Sequence, residues 1–484
     1  MIPELTPGFI LAVTGAGLAV GLSAIGSGMG VGIAGATGAG VIAIKPGKFG
    51  QALVFQAVPQ TQGMYGLLVA VLILLSTGVI GGVGDPVSTP MGLAALGAGL
   101  AVGIAGLSAI GQGIAASAGI ATSSEDDTAM GRSLVFSVIP ETQAIYGLLV
   151  AILIMAFSGI LAGDSTVTMA TGLAAIGCGL AVGLAGLSAI GQGIAAAAGS
   201  ASSAEHEGAF GRALVFSVIP ETQAIYGLLV AILIMAFTGM IAGGPISDIS
   251  IGIAAIGCGF AIGLAALSAI GQGIAAAAGA AATAEKPESF GRSLVFSVIP
   301  ETQAIYGLLV AILIMAFTGM ITRDIVPTLA AGFASVACGI AVGFAAISAI
   351  GQGIAASAGI ATTSEREDMF GKGLVFSVIP ETQAIYGLLV AILIMAFTGI
   401  ITRDVTATAA AGLACIGSGF AVGLAGLSAI GQGMTAAAGI GAVARRPEAM
   451  GQSLVFAVMA ETFAIFGLLI AILIMFGIGL FGGL

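Results

Sequence analysis

The chain has 484 residues, 58% of them hydrophobic and only 7% charged, with no tryptophan. Soluble domains carry about 25% charged residues, whereas here apolar runs longer than about 18 residues recur along the whole length, the signature of membrane-spanning helices. The net charge of −10 sits mostly in short polar loops, so no nucleic-acid partner is expected, and the expected fold class is an all-α membrane protein.

The opening stretch MIPELTPGFILAV lacks a basic n-region and runs into an ordinary hydrophobic span, so it reads as a retained first helix rather than a cleaved signal. From there a unit of about 80 residues repeats. Each unit has a Gly/Ala-rich apolar helix, a polar loop and a Leu/Ile/Val/Phe-rich apolar helix. Six tandem transmembrane hairpins, twelve helices in all, are predicted at 1–85, 86–165, 166–245, 246–325, 326–404 and 405–484. Many of the runs are nearer thirty residues than twenty, so their ends should project beyond the hydrocarbon.

Hairpin 1 carries PQTQGMYG, with Gln60 where later hairpins have a glutamate and Ser27 in place of the glutamine of a later GQG motif. Hairpins 2 to 5 each carry AIGQG in the first helix and PETQAIYG in the second. In hairpin 3, GCGLAVG follows no strand and sits in no soluble domain, so helix packing explains it better than a nucleotide loop. Glycines four apart, such as Gly179 and Gly183, allow helices to approach closely in lipid. Hairpin 6 keeps Gln432 and Glu461, but Ala460, Phe463 and Phe466 replace the proline, glutamine and tyrosine.

The cysteines Cys178, Cys258, Cys338 and Cys415 lie in apolar spans without metal-ligand spacing and read as small buried hydrophobes. His206, the only histidine, lies in a polar loop and reads as a solvated residue. Ten of the twelve basic residues (Lys45, Lys48, Arg132, Arg212, Lys286, Arg292, Arg366, Lys372, Arg445, Arg446) fall within the hairpin loops; only Arg323 and Arg403 lie between hairpins. The positive-inside rule then puts the hairpin loops in the cytoplasm and both termini outside, in a multi-pass cell-membrane protein.

Five acidic residues lie inside apolar spans: Glu141, Glu221, Glu301, Glu381 and Glu461. A lone carboxylate in hydrocarbon is expensive, so each must be protonated, paired or bound to a cation. A protonated glutamate acting as glue between helices is the bland alternative; five repeats at one depth with matched polar neighbours favour an ion site. Gln112, Gln192, Gln272, Gln352 and Gln432 each precede their glutamate by 29 residues. With the hairpin turn near Asp126 and Asp127, Gln112 and Glu141 fall at equal depth. On the second helix Ile139, Thr142, Gln143 and Tyr146 form one stripe, and Glu141 lies about 160° from its centre at about 100° per residue. One helix therefore serves two neighbours, and Pro140 withholds an N–H, leaving a carbonyl near the site. Each chain end has lost the half that would face outward, which leaves five sites between consecutive hairpins and none at the seam between chains.

Taken together, the hairpins, GQG, PETQAIYG and the closing AETFAIFGLLIAILI resemble the rotor-ring proteolipid of V-type and archaeal A-type ATPases and ATP synthases, known as the ring or K proteolipid. The resemblance covers essentially the whole chain. It implies a segment of a rotor c-ring: a homo-oligomeric ring in membrane lipid, turning against a stator subunit with an essential arginine and joined to central-stalk subunits on the cytoplasmic side. Catalysis would belong to a soluble head. In sodium-binding members the ion is held by a carboxylate, a helix glutamine, a Thr–Gln pair and a carbonyl before the proline, with a tyrosine supporting the carboxylate.

Carried over, the first site would use the carbonyl of Val58 with Thr61, Gln62, Gln112 and Glu141, supported by Tyr65. The second would use Ile139, Thr142, Gln143, Gln192 and Glu221, with Tyr146. The third would use Ile219, Thr222, Gln223, Gln272 and Glu301, with Tyr226. Ile299, Thr302, Gln303, Gln352 and Glu381, with Tyr306, would form the fourth. The fifth would use Ile379, Thr382, Gln383, Gln432 and Glu461, with Tyr386. Oxygen-only donors suit a hard cation such as Na⁺; a proton needs little beyond the carboxylate and is the alternative cargo. A stand-alone channel or secondary transporter fits less well, because transporters build a central site from inverted repeats and broken helices. An inert structural proteolipid would leave the buried carboxylates without purpose.

Overall fold

The computed structural model describes residues 5–80, 87–162, 167–241, 244–324 and 327–482. Twelve helices are long and apolar enough to cross a membrane. The first six are α1 (Pro7–Ile44), α2 (Pro46–Ser76), α3 (Thr89–Glu125), α4 (Asp127–Phe157), α5 (Met169–Glu205) and α6 (Glu207–Phe237). They are followed by α7 (Ile249–Glu285), α8 (Pro287–Phe317), α9 (Leu329–Glu365), α10 (Glu367–Phe397), α11 (Ala409–Arg445) and α12 (Pro447–Gly477). No strand occurs among the described residues. The inter-hairpin boundaries expected at 85/86, 165/166 and 325/326 lie outside the described residues.

The odd-numbered helices pack side by side as an inner layer, and the even-numbered ones cover it as an outer layer. Small residues make the inner layer possible. A Cβ added at Gly193 would lie 2.0 Å from the carbonyl oxygen of Gly111, and one at Gly273 equally close to that of Gly191. Backbones therefore touch, the approach that small-residue spacing permits in lipid. The cysteines are free and buried, and Cys178 donates to the Ala231 carbonyl at 3.4 Å; they act as small hydrophobes, as expected.

Local chemistry sets where each helix starts. Ser88, Thr168, Asp248, Thr328 and Thr408 are extended residues whose side chains accept a backbone N–H from the first turn of α3, α5, α7, α9 and α11, satisfying donors that have no helical partner. The hairpin turns are short. Asp126 is extended, and its carboxyl is held below the usual range by the hydroxyl and backbone N–H of Thr128. Ion pairs stitch successive loops, including Lys45–Glu125 at 3.0 Å, Arg132–Glu207 at 2.8 Å and Arg292–Glu367 at 2.7 Å. At such exposure each contributes about 1 kcal/mol or less. His206 is half-exposed and faces Glu285 of the next loop at 3.4 Å.

The outer layer is keyed into the inner one by phenylalanine. Phe55, Phe136, Phe216, Phe296 and Phe376 are fully buried, and each ring lies against a glycine of the next hairpin's inner helix: Gly119, Gly199, Gly279, Gly359 and Gly439. Phe216 also meets Phe290 edge-on at 5.5 Å. Phe216→Ala should lower stability by about 3–5 kcal/mol, measured as a reduced unfolding midpoint of the chain in detergent. At the chain ends large aromatic side chains are bare: Phe456 is 64% and Phe49 59% exposed. Each end of the row of hairpins therefore presents an apolar face.

Candidate ion-binding sites

The proline of the outer helix lacks an N–H, so the α-helical ladder cannot run through it. A 3₁₀ turn replaces it at Ile139–Glu141, Ile219–Glu221, Ile299–Glu301 and Ile379–Glu381, and at Val58–Gln60 in hairpin 1. The carbonyl before each proline turns to the following threonine: Val58 O accepts from Thr61 Oγ1 at 3.3 Å, and Ile139, Ile219, Ile299 and Ile379 O accept from Thr142, Thr222, Thr302 and Thr382 at 3.2, 3.0, 2.9 and 3.1 Å.

Across each hairpin boundary the predicted residues come together. Tyr65 donates to Glu141 Oε1 at 2.6 Å, and Gln112 Nε2 to Glu141 Oε2 at 3.3 Å. Gln62 Nε2 in turn donates to Gln112 Oε1 at 2.5 Å, and Thr61 Oγ1 to Gln62 Oε1 at 3.1 Å. Tyr146, Tyr226, Tyr306 and Tyr386 reach Glu221, Glu301, Glu381 and Glu461 at 2.7, 2.8, 2.6 and 2.5 Å. Gln192, Gln272, Gln352 and Gln432 donate to the same carboxylates at 3.2, 3.1, 3.2 and 3.4 Å. Gln143, Gln223, Gln303 and Gln383 donate to those glutamines at 2.6, 2.7, 2.9 and 2.6 Å.

All ten glutamines are fully buried, while the glutamates are partly covered. The ion pairs of the described residues lie at the loops and do not reach these five carboxylates. Each half of the motif thus serves a different neighbour.

The family model of the ATP synthase C subunit matches the chain six times, at residues 14–73, 96–154, 167–234, 249–314, 336–394 and 416–474. The chain belongs to the ATP synthase C-subunit family. Among curated relatives, the A-type ATP synthase subunit K of Methanocaldococcus jannaschii is 56% identical over 224 residues, 46% of this chain and 96% of that relative. The V-type sodium ATPase subunit K of Enterococcus hirae is 37% identical over 149 residues, 31% of this chain and 92% of the relative. The V-type proton ATPase subunit c of Candida tropicalis is 30% identical over 153 residues, 31% of this chain and 92% of the relative. This C-subunit protein is therefore an integral membrane, non-catalytic, ion-transporting proteolipid of the rotary ATPases, with six hairpins in one chain.

Within this C-subunit protein, one sequence expectation needs correction. Ser27 does not occupy the place of Gln112. A Cβ at Gly30 would lie 2.2 Å from the Ala109 carbonyl oxygen, as one at Gly111 would lie 1.9 Å from that of Ala189. Gly30 is thus the counterpart of Gly111, and Val31 that of Gln112. Ser27 sits one turn away and accepts from the N–H of Gly63 at 2.8 Å.

The cause is a break in α3. Carbonyls of Ala19 and Ala101 lie against Gly66 and Gly147, and from there eleven residues lead to Gly30 but only ten to Gly111. The 3₁₀ turn Gly106–Ser108 makes up the difference: three residues at about 2.0 Å rise instead of about 1.5 Å gain one residue's length. Local likeness of GLSAIGSG to GLSAIGQG hid this shift.

A further contact at the fourth site has no counterpart among the expected residues. Ser348, beside the break in α9, donates to Gln303 Oε1 at 2.6 Å, and there Thr302 donates to Glu381 Oε1 at 2.9 Å. The serine recurring four residues ahead of each GQG glutamine was the available signal.

Proposed function

We propose that the chain is a sodium-carrying rotor subunit, with one ion held at each of the five hairpin boundaries and none at the seam. The observation carrying this reading is the contiguous row of oxygens across each boundary: at the first, Val58 O, Thr61 Oγ1, Gln62 Oε1, Gln112 Oε1 and the Glu141 carboxylate, linked through hydrogen bonds of 2.5–3.3 Å. A proton site has no use for the threonine, the two amides and the carbonyl. A hard cation does, because it exchanges its hydration shell for such oxygens. Val58, Ile139, Ile219, Ile299 and Ile379 would each supply a carbonyl, and the five tyrosines would hold the carboxylates in place.

Bound sodium brings the carboxylate close to neutral, so the site can pass the lipid face of a ring built from several copies of the chain. Opposite a stator arginine in an aqueous half-channel, the bare carboxylate is favoured and the ion leaves. Each charge carried across the membrane potential exchanges about 2.3 kcal/mol per 100 mV. The basic loops favour a cytoplasmic side for the hairpin turns, and the stalk contacts would lie there with them.

Carbodiimide labelling resolved by peptide tests the reading. Sodium should slow labelling of Glu141, Glu221, Glu301, Glu381 and Glu461 together, with the concentration needed rising as pH falls, because protons compete for the same oxygens. Absence of protection at every pH would assign the rotor to protons.

A further inference from the structure

Buried serines in this protein normally satisfy themselves. Ser137, Ser297 and Ser377 donate to the carbonyl four residues back at 2.9, 2.9 and 2.8 Å, the usual recourse of a helical hydroxyl. Five serines do not. Ser108, Ser188, Ser268, Ser348 and Ser428 stand beside the breaks of α3, α5, α7, α9 and α11, and none donates to its own helix. In four of them, Ser108, Ser188, Ser268 and Ser428, a buried hydroxyl has no partner. The first three are fully inaccessible. An unmade hydrogen bond of this kind costs about 1–3 kcal/mol, and its repetition in four of the five hairpins that carry a glutamate calls for a partner.

Ser348 supplies the partner's identity. Its hydroxyl donates to Gln303 Oε1 at 2.6 Å, an atom 45 residues earlier in the preceding hairpin; Ser188, Ser268 and Ser428 stand 45 residues, and Ser108 stands 46, after Gln143, Gln223, Gln383 and Gln62. The rest of that site differs accordingly. Where the serine is idle, Thr61, Thr142, Thr222 and Thr382 each donate to the adjacent glutamine oxygen at 3.1 Å. Where the serine holds that oxygen, Thr302 donates to Glu381 instead, at 2.9 Å. The amide oxygen takes the threonine hydroxyl at four sites and the serine hydroxyl at the other, where the threonine serves the carboxylate.

We infer that the serine beside each inner-helix break is a positioning residue of the ion site: by donating to the glutamine oxygen it fixes that amide and transfers the threonine hydroxyl to the glutamate. The site then has two hydrogen-bonded states, one closed on itself through the threonine and one with threonine and carboxylate joined. This rests on the sodium reading above for its cargo, but the geometry concerns only the chain's own residues.

The test is peptide-resolved carbodiimide labelling of the full chain in detergent, titrated with sodium chloride. Ser348→Ala should raise the sodium concentration for half-protection of Glu381 about fivefold to tenfold, the loss of one hydrogen bond, and leave Glu221 and Glu301 unchanged. Ser268→Ala should move the same effect to Glu301. In a Thr302→Val background, Ser348→Ala should add nothing at Glu381, since the serine acts through the threonine. An unchanged Glu381 titration in Ser348→Ala, or an equal change at all five glutamates, overturns the inference. If sodium protects no glutamate in the unaltered chain, the sodium reading fails by itself. The labelling rate in sodium-free buffer then decides: a change confined to Glu381 in Ser348→Ala upholds the positioning role, and an unchanged rate refutes it.

Discussion

Glu301→Gln is expected to lower sodium bound at saturation from five ions to four per chain, with the other four sites keeping their affinity within about twofold. The amide keeps one of the two carboxylate oxygens, so it can hold the Tyr226 bond made to Oε1 at 2.8 Å while giving up the Gln272 bond made to Oε2 at 3.1 Å, and the hairpins should stay docked. What disappears is the charge that makes a cation worth holding in a low-dielectric site. Equilibrium binding of radioactive sodium to the purified chain gives the count, and five ions bound to the variant would remove Glu301 from the ligand set. In an assembled motor each missing ion removes about 2.3 kcal/mol of work per turn per 100 mV.

Gly273→Ala should be among the most damaging small changes in the inner layer. Its new methyl would lie 2.0 Å from the Gly191 carbonyl oxygen and 2.4–2.5 Å from that residue's other backbone atoms. No flexible side chain stands there to yield, so α5 and α7 would have to separate along a seam that runs the length of both. Overpacking of side chains typically costs about 1–3 kcal/mol; against backbone the expected loss is about 3 kcal/mol or more. Gly211→Ala is the matched control, because nothing lies within 4 Å of its added carbon and the change improves helix propensity. Thermal unfolding in detergent should separate the two variants clearly, and equal midpoints would show that the inner layer is not held by backbone contact.

Much of this architecture is legible in the residues. Polar loops bracket each hairpin, and equal distances from the turn put Gln112 beside Glu141, where they meet at 3.3 Å. The opposed faces of the outer helix put the sites between consecutive hairpins, and the family resemblance implied that Tyr65 supports the glutamate of the following hairpin, 76 residues away, to which it donates at 2.6 Å. Letter likeness failed where the backbone changes its rise. A 3₁₀ turn costs no residues in an alignment yet alters depth, so Ser27 was matched to the wrong level and Val31 overlooked. Ser348 was invisible for a related reason: beside the break its hydroxyl leaves its own helix and crosses to another hairpin, which periodicity along one helix does not reveal.

Covalent fusion has an arithmetical consequence. Because six hairpins are joined in one polypeptide, an assembly built from this chain takes up those six together and, on the reading proposed above, their five ion sites with them. A motor made of separate hairpins can adjust its exchange rate between ions and ATP by single units as its membrane voltage drifts over evolution. This one is locked to coarse steps, and finer adjustment must come from gaining or erasing individual carboxylates within the chain, as the glutamine at position 60 already does.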